Sequence, residues 1–218
     1  QVTIVTNNKN EGKGSALKLA FSHLLEKDED FIIVTADSDG QHLVKDIINV
    51  ASFCLEHEDN IVLGSRKFGP NVPKKSSFGN NSTKFLMRMI FSYSLKDNQT
   101  GLRAFSKKYL PLMLKIKGNR YEYEMNMLIA IIQKNIKISE VAIEAVYIDN
   151  NENTHFRPIK DFTSICVCLY KYILPILLSF ILNIFGFILF RYIIFENQTN
   201  ILQNILSLLF ANIMTFLI

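Results

Sequence analysis

Between Lys171 and Arg191 lie 19 residues without a charged side chain. A helix crossing the hydrocarbon core of a bilayer needs about 20 predominantly apolar residues. The run meets that length, and Pro175, Asn183 and Gly186 within it are tolerated in such helices. A second apolar stretch, Ile201 to Ile218, follows the short polar turn Glu196-Asn197-Gln198-Thr199-Asn200. A pair of buried core helices would share this hydropathy, but neither stretch has a polar face to turn outward. The expectation is a membrane region over 162–218, with spans at about 172–194 and 201–218. Arg157, Lys160 and Lys171 precede the first span, and the turn carries neither Lys nor Arg. The positive-inside bias then puts residues 1–161 on the cytoplasmic side and the turn outside. Arg191 departs from that bias and can snorkel to the interface.

The chain before this region has a different texture. Up to about Asp161 polar and apolar residues mix as in a globular domain, and 218 residues suffice for one α/β domain plus an appendage. A net charge of +4 is too small to imply nucleic acid as a partner. Cys54, Cys166 and Cys168 form neither a metal-type spacing nor an even framework, which suits a reducing compartment. The sequence starts within an apparent strand, Val2–Thr6, and stops within an apolar run, so it reads as a piece of a longer protein.

The soluble part is organised around Phe31-Ile32-Ile33-Val34-Thr35-Ala36 and the acidic turn after it, Asp37-Ser38-Asp39-Gly40-Gln41-His42. Short, β-branched and apolar, the first segment reads as a buried strand of a parallel sheet. Open α/β sheets bind ligands beyond the carboxyl ends of their strands. Two carboxylates one residue apart at such an end can ligate a hard divalent cation, which can in turn neutralise a diphosphate. An ordinary Asp/Gly turn uses the same residues for conformational reasons. Ile61-Val62-Leu63 is a second short strand, and in a parallel sheet it delivers Arg66 to the same edge, where a guanidinium suits phosphate oxygens.

Upstream, Asn10-Glu11-Gly12-Lys13-Gly14-Ser15-Ala16-Leu17 is a glycine turn opening a helix, a place where phosphate can bind. It is not a P-loop: Asn7 and Gly14 stand where that motif needs Gly and Ser/Thr. Further helices are expected at about 43–56, 80–95, 107–116 and 121–133, with a strand over Val141–Ile148. Loops are expected at Lys67–Ser77 and Asp149–Pro158, and Asp97–Ser106 runs from a polar turn into a strand. Glu122 and Glu124 open a helix, where acids favour the dipole without any catalytic role.

Four stretches in this order carry a resemblance: Asn10–Leu17, Ala36–His42, Gly64-Ser65-Arg66 and Gln99-Thr100-Gly101-Leu102-Arg103. Over about Val2 to Asp161 the chain resembles the family 2 glycosyltransferases of the GT-A fold. It is most similar to members acting on polyprenyl phosphates, such as dolichyl-phosphate mannosyltransferases and undecaprenyl-phosphate glucosyltransferases. The tail resembles the first part of a GtrA-like membrane domain. The fold so implied is α/β, a Rossmann-like nucleotide-diphospho-sugar transferase domain over 1–161. By the same resemblance its N-terminal part, which holds the nucleotide base, is missing, and two transmembrane helices over 162–218 follow it.

The resemblance also implies roles. Asp37, Asp39 and Gln41 would hold Mg²⁺ or Mn²⁺, with Asp39, Arg66 and Asp97 as the catalytic set. Arg66 would meet the acceptor phosphate, and Asp97 is an acid near the acceptor. Lys13, Gln99, Thr100 and Arg103 are implied in substrate binding. So are Ser76, Ser77 and Asn80 of a loop over Lys74–Asn80, and Arg157 of a loop closing over the diphosphate. The implied partners are a nucleotide-diphospho-sugar, a polyprenyl-phosphate lipid and the membrane, with no nucleic acid; oligomeric state stays open. The implied reaction is inverting transfer to the lipid phosphate, for cell-envelope or glycan synthesis. Two alternatives stay open: a sugar hydroxyl as acceptor, which needs a catalytic base, and a non-catalytic membrane partner in lipid-linked sugar translocation.

Overall fold

A computed structural model describes residues 2–66, 74–144, 158–189, 192 and 205–209. Contacts divide the chain into two units, Gln1–Cys168 and Leu169–Ile218. In the first, helix α1 (Lys13–Leu25) leads to β1 (Ile32–Thr35), α2 (Val44–Glu56) and β2 (Ile61–Arg66). Helix α3 (Lys74–Phe91) and β3 (Arg103–Ser106) follow, then a 3₁₀ turn into α4 (Leu110–Lys115), α5 (Glu122–Gln133) and β4 (Ile138–Ile143). Helix α6 (Pro158–Leu189) begins in the first unit and continues in the second.

The sheet order is β1-β3-β2-β4. It is mixed, not parallel as expected: β2 and β4 pair in parallel, while β3 runs antiparallel to both β1 and β2. Since β1 and β2 each oppose β3, they share a direction, and their carboxyl ends reach one edge. The residues entering β3 arrive at that edge too, since Thr35 faces Arg103 across the ladder. Alternation along β3 then divides the core. Ala104 joins Val50 and Cys54 of α2, with Val62, Leu102 and Ile143, in one apolar cluster. Phe105 points the other way, and its ring meets that of Phe21 of α1 edge-on, centroids 5.5 Å apart.

Three further expectations are corrected. Val2–Thr6 forms no strand, and Val2 and Ile4 are exposed. β-branched composition describes fitness for a pleated surface, and a strand forms only where a neighbour takes its backbone hydrogen bonds; among the described residues this segment has none. The loop expected up to Ser77 has already become α3 at Lys74. The last strand starts at Ile138 and ends at Ile143, set by its parallel register with Ile61–Arg66; residues 145–148 lie outside the described residues.

In the second unit, Leu169–Leu189 is a 21-residue helical stretch of mean hydropathy 2.3, long and apolar enough to cross a membrane. Leu177, Phe180, Ile181 and Phe185 along it are exposed. Of the second expected span, only Ile205–Leu209 is described, as helix.

Candidate active site

The edge where β1 and β2 end gathers two clusters. The first starts from Asp37, just past β1. Thr35 Oγ1 donates to the Gly101 carbonyl at 2.9 Å, which ties the end of β1 to the entry of β3. A Cβ on Gly101 would lie 2.2 Å from Asp37 Oδ2, so only glycine lets the carboxylate rest against this backbone. Lys13 Nζ sits 2.6 Å from Asp37 Oδ1 and 2.9 Å from Glu124 Oε2. That bridge depends on the close approach of α1 to α5: a Cβ on Gly14 would lie 2.5 Å from Tyr123 Cβ. His42, its side chain only 7% exposed, places Nε2 3.8 Å from Asp37 Oδ2.

Electrostatics follow from this packing. Burial disfavours the charge on Asp37, but the nearby His42 ring and the Lys13 ammonium outweigh it and hold the carboxyl well below the usual carboxylate range. Burial likewise works against the Lys13 charge, and Glu124 and Asp37 together raise its pKa above the ordinary lysine value. Asp39 is exposed on the turn, and its Oδ1 accepts the Gln41 N–H at 3.1 Å, a local Asx-type bond. Among the described residues no three His, Cys, Asp or Glu side chains converge on one point. Asp37, Asp39 and Gln41 carry oxygen donors of the kind that hard divalent cations such as Mg²⁺ or Mn²⁺ take.

The second cluster lies at the end of β2. Arg66 Nε and Nη2 donate to Asp97 Oδ2 and Oδ1 at 2.6 and 3.1 Å, a bidentate pair. Asp97 is fully buried, while the Arg66 side chain is 23% exposed. The Gln99 N–H also donates to Asp97 Oδ1, at 3.1 Å. From β4, Glu140 Oε1 accepts the Lys96 and Asp97 N–H groups at 2.8 and 3.3 Å and fixes the turn that carries the aspartate.

Two of the implied substrate-binding residues are buried in the scaffold. Arg103 is 1% exposed, and its guanidinium donates to the Thr100 and Glu124 carbonyls and to Met127 Sδ. Thr100 is 1% exposed, and its Oγ1 accepts the Leu102 N–H. Arg103 thus ties the start of β3 to α5, and Thr100 closes the turn that leads into it. Gln99 is partly exposed beside Asp97. Ser76, Ser77 and Asn80 are described by their backbone alone, within α3 and not a loop. Arg157 lies outside the described residues. Glu124 and Glu140 were not anticipated as site residues. Glu124 had the signal of an acid in a first helical turn, but the approach of α1 that gives it Lys13 is tertiary. Glu140 had no signal.

Acids past β1 and an arginine that ends β2 thus share one edge of a mixed α/β sheet. The profile of glycosyl transferase family 2 matches residues 1–111, just over half of the chain, and the chain belongs to that family. It is 32% identical, over 152 residues, to the UDP-N-acetylglucosamine–dolichyl-phosphate N-acetylglucosaminyltransferase of Methanococcus voltae, covering 67% of this chain and 60% of that one. It is 33% identical over 144 residues to an uncharacterised protein of Methanocaldococcus jannaschii, covering 63% of this chain and 58% of the relative. A second uncharacterised protein of that organism is 27% identical over 154 residues. The chain thus spans about 60% of the length of the first two relatives.

Proposed function

We propose that the protein transfers a sugar, with inversion, from a nucleotide-diphospho-sugar to a polyprenyl phosphate at a membrane. The observation that carries this reading is the delivery of two unlike clusters, Asp37/Asp39/Lys13 and Arg66/Asp97, to one sheet edge. Asp37, Asp39 and Gln41 would hold a divalent cation, which would supply charge neutralisation at the nucleotide diphosphate. Lys13, positioned by Glu124, adds a cation at the diphosphate. Arg66 presents its partly exposed guanidinium to the acceptor phosphate while Asp97 fixes its plane.

A lipid phosphate has a second pKa of about 6 and is largely a dianion at neutral pH, so it needs no protein base to become a nucleophile. The burial of Asp97 and the engagement of both its oxygens favour this acceptor over a sugar hydroxyl, which would require a base with access to it. The names of the Methanococcus relative's substrates support a lipid acceptor and make UDP-N-acetylglucosamine the first donor to try. The apolar stretch Leu169–Leu189 supports membrane attachment; a multi-pass topology with a cytoplasmic catalytic side is part of the same proposal.

The test is transfer by the full-length protein in membranes, using labelled nucleotide sugars and a polyprenyl phosphate. An organic-soluble sugar–phosphate lipid is the expected product, formed only with divalent cation. Transfer to a sugar hydroxyl alone would replace this reading. Donor binding without transfer to either acceptor would favour a non-catalytic membrane role.

A further inference from the structure

Helix α2 packs Val50 and Cys54, both fully buried, into the apolar cluster on its face of the sheet. Its outer side is not polar throughout. Val44, Ile48 and Leu55 are 72%, 57% and 59% exposed. Their spacing sets them within about 40° of one another around the helix axis, a stripe about three turns long. Exposed Lys45 and Glu56 stand at its two ends, within about 20° of each other and so on one flank of the stripe. That charge order opposes the helix dipole, which favours acids at the N-terminus and bases at the C-terminus. The last turn of α2 carries no base. The acid of its first turn, Asp46, is buried and accepts the Glu144 N–H at 3.1 Å.

We propose that two copies of the protein meet on this face, their α2 helices antiparallel about a two-fold axis. Such a contact pairs residue i with j and j with i. With the axis near the middle of α2, Val44 of one copy lies against Leu55 of the other, and Ile48 lies beside the axis. An antiparallel two-fold pair also brings like flanks together, so Lys45 of each copy meets Glu56 of the other. The acidic end of each α2 then sits beside the N-terminus of its neighbour, where the dipole favours acids. The existing contact of Lys45 with Glu144, at 2.6 Å, is between exposed side chains; a pair of that kind contributes little and leaves the lysine able to turn to another carboxylate. A lipid surface suits the stripe less well, because an interfacial helix carries an excess of Lys and Arg on its polar face. Here one base and one acid flank the apolar residues. The inference goes beyond the glycosyl-transfer reading and does not depend on it.

A single helix pair is smaller than the roughly 1,200 Å² at which specific interfaces become stable, so covalent capture is the suitable measurement. Val44→Cys and Leu55→Cys are made separately in the full-length protein, with different tags and with Cys166→Ser and Cys168→Ser in both. Cys54 stays, because it is buried and its thiol pKa is pushed up to about 11, which keeps it unreactive. The two forms are co-expressed and mildly oxidised. The expected result is a disulfide joining the two tags, at least about fivefold above the dimer from either variant alone, since like positions lie about 16 Å apart and beyond disulfide reach. Lys45→Glu or Glu56→Lys should each lower that yield at least about twofold, and the two together should restore it. Equal yields in every combination, the mark of random collision, would overturn the proposal. So would a missing disulfide when both cysteines accept a water-soluble maleimide, or a double charge exchange that restores nothing. Cysteines closed to both oxidant and maleimide would give the stripe to another segment of the same protein instead.

Discussion

Lys13 and Arg66 both reach the same edge of the sheet, and both meet carboxylates there, yet they are held in different ways. Lys13 bridges Asp37 and Glu124 through a single ammonium, and the side chains concerned retain 25%, 32% and 14% exposure. Arg66 engages one carboxylate with two parallel hydrogen bonds, and that carboxylate is fully buried. An ammonium is a point charge on a flexible stem, whereas a guanidinium is a planar fork whose geometry a carboxylate can fix. The first cluster is therefore the one whose contacts exchange more readily, and the second keeps one cation in one plane. On the proposed function these are the needs of a charged, exchangeable donor and of an oriented acceptor.

The comparison is tested most severely on the donor side. On the proposed function Asp39→Asn removes one anionic metal ligand, at an exposed turn position where the fold tolerates the change. Losing an outer-shell partner of a metal site costs roughly 10- to 100-fold, and losing a ligand should exceed that. Transfer is expected to drop by more than about 100-fold, with weaker Mg²⁺ or Mn²⁺ binding in a metal titration. Transfer at the parent rate, or full activity in excess chelator, would remove the metal from the scheme.

On the acceptor side the larger effect is on stability. Asp97→Ala breaks a buried ion pair and leaves the Gln99 N–H without its acceptor. The expected cost is about 3 kcal/mol, the low end for such a break, because Arg66 can turn to water. Thermal unfolding in detergent measures it. Asp97→Asn keeps the shape and separates two roles. With a polyprenyl phosphate the rate should rise through about pH 6 and then stay flat, following the acceptor's ionisation. Asp97→Asn should keep that profile and chiefly raise the acceptor KM, as Arg66→Ala should. If Asp97→Asn abolishes turnover with both substrates bound, Asp97 is a base and the hydroxyl acceptor takes over. Arg103→Met belongs to the scaffold and should cost about 2 kcal/mol through the buried hydrogen bonds lost at the Thr100 and Glu124 carbonyls, with unchanged KM values.

What could be read from the chain alone follows the same division. The acidic turn after a β-branched run was legible, because composition marks a buried strand and its end. The placement of Arg66 was also right, but by a different route: the expected parallel sheet is mixed, and β1 and β2 agree in direction because each opposes β3. The motif makes Arg103 look like a substrate contact, whereas the ladder of β3 turns its guanidinium inward to the Glu124 carbonyl, which no local pattern announces. The ties that hold each cation, Glu124 on Lys13 and Glu140 on the Asp97 turn, join residues over 40 positions apart. No local pattern encodes such pairs.

The smallest expected effect concerns Glu124, and it measures how exchangeable the donor-side cation is. Glu124→Gln removes one of the two anions flanking Lys13 and keeps the side-chain size. Asp37 still pairs with the ammonium, so the stability cost at pH 7 should be about 1 kcal/mol or less for a partly exposed pair. The alkaline limb should change more clearly. A lysine whose folded pKa is raised contributes stability that is complete below its unfolded pKa, about 10.4, and is lost as pH rises through the folded value. Removing Glu124 lowers that folded value, so the variant should lose less stability between pH 9 and about 11 than the parent does. The acid limb acts as an internal control. Asp37, whose folded pKa is depressed, contributes stability that is complete above its unfolded pKa of about 3.9 and is lost as pH falls further. That limb should persist in Glu124→Gln and flatten in Asp37→Asn. Midpoints of thermal unfolding across pH, for the parent and both variants, decide the matter. If Glu124→Gln leaves the alkaline limb unchanged, Glu124 does not hold Lys13, and the contrast between an exchangeable lysine and a clamped arginine loses its donor half.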